Sequence, residues 1–95
     1  MSDYKQVIKE AELALTKGAY INCIKLIKLK IKDYPISSNP GVELRIILIT
    51  ALSGLNKDEE ALIICKELLK STNLNVRENA KSLIGIISSP ELGVK

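Results

Sequence analysis

The chain of 95 residues repeats itself at an interval of 38. The run Gly18-Ala19-Tyr20-Ile21-Asn22-Cys23-Ile24 aligns with Asn56-Lys57-Asp58-Glu59-Glu60-Ala61-Leu62, and further along Ile27 falls on Cys65, Lys28 on Lys66, Ile31 on Leu69 and Lys32 on Lys70. An internal period of this length marks a unit of one helix pair that cannot bury its apolar faces alone and must stack on a neighbour. Composition agrees with such a scaffold. The chain is 46% hydrophobic and 26% charged, as expected of an ordinary globular domain, and it contains three tyrosines but no Phe or Trp. Its core must therefore be aliphatic.

Apolar residues recur at helical spacing through five segments. The first opens at Asp3, a cap three residues before Gln6, and carries Tyr4, Val7, Ile8, Ala11, Ala14 and Leu15 as far as Lys17. Gly18 supplies a residue able to take positive φ and end that helix. The second segment runs from Tyr20 to Asp33, with Pro35 as its stop. Leu26 to Lys32 also partly alternates like a strand, but the helical period covers the whole segment and the alternation only its end, so a helix is expected. Asn39 as cap and Pro40 at the first helical position open a third helix to Ser53, apolar nearly all round and hence the expected centre of the domain. Capping boxes at Asn56/Glu59 and Asn75/Glu78 predict a fourth helix ending at Lys70 and a fifth over residues 76–88. The organisation expected is thus a hairpin at 4–34, a hairpin at 40–70, a capping helix at 76–88 and a tail at 89–95.

Several function classes find no support in the sequence. There is no histidine, so the commonest metal ligand and neutral-pH base is missing. No Gly-rich phosphate loop and no nucleophile–base constellation occurs, so no enzyme, cofactor or metal is expected. Cys23 and Cys65 fit neither zinc nor redox spacing and read as small buried hydrophobes. Asp58, Glu59 and Glu60 read as complement to a helix dipole. The longest apolar run, Ala61 to Cys65, is far short of the ~18 residues that cross a bilayer. The opening Met-Ser-Asp-Tyr-Lys lacks the layout of a secretory signal, so a cytoplasmic setting is the expectation.

The net charge of +3 lies in residues 1–35, where seven lysines face Asp3, Glu10, Glu12 and Asp33. Lys25, Lys28 and Lys32 form a stripe on the second helix. They define an alternative function, a small basic module touching nucleic acid or an anionic surface. No interleaved aromatics offer base stacking, so a solvated helix face is preferred and nucleic acid is not the expected partner.

The turn Gly18-Ala19-Tyr20 with Cys23 and Pro35 resembles the tetratricopeptide repeat, or TPR. Gly54-Leu55-Asn56 through Ala61 looks like a second copy, with Asn56 in place of the turn glycine and Asn73 in place of the closing proline. Val76 follows Val42 by 34 residues, the length of that repeat. The likeness covers residues 4–88 and departs at Val7 and Arg45, where a large residue is expected, at Ile49, where a small one is, and at Lys30. A general helical-repeat hairpin is the other reading of the same pattern.

The resemblance implies an all-α right-handed superhelix of two TPR-like hairpins and a C-terminal capping helix. It implies a protein-interaction scaffold or adaptor whose shallow groove is lined by the first helix of each repeat. Carried over by register, the groove comprises Lys5, Ile8, Glu12 and Leu15, then Glu43, Ile46, Thr50 and Ser53, then Ala80, Ile84 and Ile87. Ile8, Glu12, Ile46 and Thr50 do not supply the Lys, Asn and Arg with which one TPR subtype clamps a C-terminal carboxylate. The ligand expected is another protein or peptide. An incomplete third repeat leaves the last helix half covered, and self-association through it, the folded-back tail or a partner would close that end.

Overall fold

The computed structural model describes residues 4–88, and these form five helices: α1 (Tyr4–Thr16), α2 (Tyr20–Lys30), α3 (Asn39–Gly54), α4 (Asp58–Leu68) and α5 (Leu74–Ile87). A 3₁₀ turn, Ile31–Asp33, prolongs α2. No strand occurs among the described residues, so the alternation at Leu26–Lys32 is absorbed into a helix and its tightened last turn. The Asp3 cap and the tail at 89–95 lie outside the described residues.

Helix α3 is the centre of the molecule. It packs against α1, α2 and α4, while α5 packs on α4. Neither the pair α2 and α4 nor the pair α3 and α5 packs extensively. The reason lies in the sequence of α3, whose Leu44, Ile47, Leu48, Ile49, Ala51 and Leu52 are all buried, covering most of its circumference. Around it the core is completed by Val7 and Ala11 of α1, Cys23 and Ile27 of α2, Ala61, Cys65 and Leu68 of α4, and Ala80 and Ile87 of α5. The molecule measures 48 × 32 × 16 Å. Its short dimension suits two layers of helices whose axes lie roughly 8–10 Å apart.

The 38-residue interval returns in the backbone. After α1, the Ala19 amide donates to the Ala14 carbonyl at 2.8 Å and the Gly18 amide to Leu15 at 3.0 Å; after α3, Lys57 donates to Leu52 at 2.8 Å and Asn56 to Ser53 at 3.0 Å. Gly18 (φ 76°) and Asn56 (φ 61°) take the left-handed conformation at equivalent positions. This is a Schellman-type stop, in which a left-handed residue lets two amides reach back to orphan carbonyls. Burial repeats as well: from Tyr20 to Lys32 and from Asp58 to Lys70 each position has the same burial class as its counterpart, except Lys30, half-buried where Leu68 is fully buried.

Three caps differ from those read from the sequence. Asn56 ends α3 instead of starting α4, so no capping box with Glu59 forms and α4 begins after Lys57 without a side-chain cap. Helix α3 is capped by Ser38, not Asn39: its Oγ accepts from the Gly41 amide at 3.1 Å and donates to the Pro35 carbonyl at 2.8 Å. This draws Asn39 into the helix and moves Pro40 one place inward. Helix α5 starts two residues early because Asn73 Oδ1 accepts from the amides of Asn75 (2.8 Å) and Val76 (3.4 Å), leaving Glu78 to pair with Lys81. Helix α4 ends at Leu68, two residues before Lys70.

Arg45, at the position aligned with Val7, has a different role from an apolar one. Its guanidinium donates to the Tyr34 carbonyl at 2.7 Å and to Gly41 at 3.1 Å, and its Nε lies 3.5 Å from a Glu67 carboxylate oxygen. One side chain thereby ties the 34–38 loop, α3 and α4 together.

Candidate functional sites on the two faces

Two concavities among the described residues stand out, each beside a pair of helices that does not pack extensively. The first is a notch of about 310 Å³ between α3 and α5. Thr50 and Ser53 stand on one side, Leu83 and Ile86 on the other, with Ile49 and Ile87 below and the Tyr20 ring at the end. Tyr20 is held there because its ring lies flat against Gly54, where a Cβ would come within 2.8 Å of it. Ile86 is 73% exposed at the rim.

The notch gathers only part of the groove expected from register. Thr50, Ser53 and Ile87 line it. Lys5, Glu12 and Glu43 are exposed and Ile8, Leu15, Ile46 and Ile84 are half-buried, but none of these lines it. Ile87 is its buried floor, not an accessible anchor, and Ala80, expected on the groove face, is fully buried. The cause is the orientation of α5. That helix packs on α4 and buries Ala80 and Ile87, while Leu83 and Ile86 line the gap beside α3.

The second concavity lies outside the groove that register implies. An open cleft of about 650 Å³ lies between α2, the C-terminal end of α3 and the start of α4. Ile24, Leu52 and Leu55 form its apolar part, and Ile21 and Leu29 flank it, 58% and 74% exposed. Lys25 and Lys28 border it from α2, and Lys57 and Glu60 from the opposite side. Two members of the basic stripe are therefore part of a mixed surface, while Lys32, in the 3₁₀ turn, is exposed beyond the cleft. The sequence carried a signal for this: Ile21, Lys25, Lys28 and Leu29 recur at helical spacing, interleaving apolar and cationic groups on one stripe.

Chemically reactive groups are few. Cys23 and Cys65 are free thiols, fully buried, and burial pushes both up from their ordinary value. The Cys23 thiol donates to the Ala11 carbonyl at 3.4 Å. Both behave as packing groups shielded from reagents. Among the described residues there is no cluster of three His, Cys, Asp or Glu positioned to hold a metal ion, and no helix is long and apolar enough to cross a membrane. No protein-family model matches the chain, and neither the curated proteins nor the solved structures contain a match.

Proposed function

We propose that this chain is a helical-repeat scaffold, built on TPR-like hairpins, whose function is to hold a protein or peptide partner. The observation that carries the reading is the notch between α3 and α5, where Leu83 and the largely exposed Ile86 face Thr50 and Ser53 across a gap that none of the described residues fills. Apolar side chains beside hydroxyls that offer orientation are the ordinary chemistry of a peptide-binding surface. The recurrence of the same turn hydrogen bonds and the same burial pattern 38 residues apart supports the repeat architecture, and the open side of α5 supports a partner or a second copy at this end.

The test is a pair of variants at exposed positions, Thr50→Arg and Ile86→Asp, neither of which touches the core. Affinity capture from native extract with the unmodified chain returns a defined partner that both variants lose, or light scattering returns a dimer that both convert to a monomer. Identical capture profiles and identical masses for all three chains refute the assignment of the notch.

A further inference from the structure

The cleft between α2 and α4 lies outside that notch and shares none of its lining residues. We propose that it is a second docking site, and that its occupant is an acidic amphipathic helix.

Three features of the cleft select that chemistry. Leu29 and Ile21 are large aliphatic side chains left mostly in water on either side of an apolar floor, and no helix among the described residues covers them. An apolar strip alone would accept any hydrophobic ligand. Here, however, three ammonium groups, Lys25, Lys28 and Lys57, border the strip against a single carboxylate, Glu60. Lys32 extends the positive line one turn further. The rim is thus cationic where the floor is apolar, and its complement is a ligand with an apolar stripe flanked by carboxylates. Opposed charges around an apolar contact steer encounter and fix register, while the apolar stripe supplies most of the affinity.

The shape favours a helix over other anions with an apolar part. From Ile21 to Leu29 the cleft runs along two turns of α2, roughly 12 Å. That length receives apolar side chains at i, i+3 or i+4, and i+7 of a helix laid across it. The cleft is not enclosed, so a rod can enter it from solvent. Single-stranded nucleic acid would find phosphate partners but no aromatic platform, since none of the three tyrosines lines the cleft.

The experiment is a panned library of helical peptides of about four turns. Apolar residues are fixed at i, i+3, i+4 and i+7, and the flanking positions are randomised among Glu, Lys and Gln. Selection is made on the whole chain at low salt, about 50 mM, where rim charges are least screened. Glu is expected to accumulate at the flanks. The selected peptides should weaken at least about tenfold on Leu29→Asp and on Lys25→Glu/Lys28→Glu. The lysine variant should in turn select Lys-flanked peptides. Leu29, Lys25 and Lys28 are all exposed, so circular dichroism will show the fold intact in these chains. Thr50→Arg should leave the selected peptides bound, which separates failure at the cleft from failure at the notch. The proposal is overturned if no peptide is selected, if the flanks show no charge preference, or if the binders survive Leu29→Asp. Retention on phosphatidylglycerol vesicles or on a single-stranded oligonucleotide, lost with the lysine substitutions while no peptide binds, overturns it in favour of an anionic surface.

Discussion

The same chemical change, Gly→Ala, should have opposite effects at two positions of this chain. At Gly41 a Cβ would overlap the Pro35 carbonyl oxygen and lie 2.5 Å from that of Tyr34 and 2.7 Å from the Pro35 carbonyl carbon. These are backbone atoms, held from other directions. The Pro35 oxygen accepts from the Ser38 amide at 3.0 Å and from the Ser38 hydroxyl at 2.8 Å, and the Tyr34 oxygen accepts from Arg45 at 2.7 Å. Making room means moving the loop and weakening all three bonds. Two neutral bonds at ~0.5–1.5 kcal/mol and one charged bond at ~1.5–3 kcal/mol give a loss of about 2.5–6 kcal/mol. A chain of this length has a total stability of roughly 5–14 kcal/mol, so Gly41→Ala should remove roughly a fifth of it or more. At Gly85, inside α5, a new Cβ meets nothing within 4 Å, and alanine should add about 0.5–1 kcal/mol through helix propensity.

Urea titration followed by far-UV circular dichroism measures both, with the m-value as the check that the unfolded states are comparable. The midpoints should move in opposite directions around that of the unmodified chain. A loss below about 1 kcal/mol at Gly41, or an equal loss at Gly85, would refute the claim that the Tyr34–Pro35 backbone is clamped against α3. Close approach, not left-handed geometry, is what demands glycine at position 41.

Which parts of this architecture were legible in the sequence follows from what each signal depends on. The five helices were legible because aliphatic periodicity is strong, and α3 was placed at the centre because it is apolar on nearly every side. Gly18 and Asn56 were matched by the internal repeat, yet Asn56 was also assigned a cap role for the following helix. An asparagine three residues before a glutamate satisfies a capping pattern and a left-handed stop equally well. Only the length of the turn decides between them. The groove was legible in part for a similar reason. Register places Thr50, Ser53 and Ile87 beside one gap, but the roll of α5 depends on how that helix seats against α4, a tertiary property. The lysine stripe was visible from the start; its apolar companions Ile21 and Leu29 were not, because they look like exceptions to an amphipathic face until the distance between α2 and α4 is known. In the cleft the sequence-visible lysines are one wall of a site whose other wall comes from elements distant in the chain.

Three further predictions concern stability. Arg45→Met should cost about 2–3 kcal/mol in urea unfolding, because the Tyr34 carbonyl loses a charged donor; Glu67→Gln should cost less than about 1 kcal/mol, since that carboxylate is half exposed. Asn73→Ala should cost about 1 kcal/mol and speed hydrogen exchange at the Asn75 and Val76 amides, which lose their acceptor. The thiols give the pH dependence. Burial raises both Cys23 and Cys65 above the ordinary value of 9.0, so between that value and their folded values the native chain holds more protons than the unfolded one. Stability from this source is therefore fully present at neutral pH and falls as pH rises past 9, at up to about 1.4 kcal/mol per thiol per pH unit. The reference is a Cys23→Ala/Cys65→Ala chain, which keeps every other titratable group and loses only the thiols. The stability difference between the two chains should be constant below pH about 8 and shrink steadily above 9. A thiol-reactive dye should label the native chain only as fast as it unfolds. Prompt labelling at neutral pH, or a difference that stays constant up to pH about 10.5, would mean that the two sulfurs are open to water and that the α2 and α4 faces meeting α3 are not closed as described.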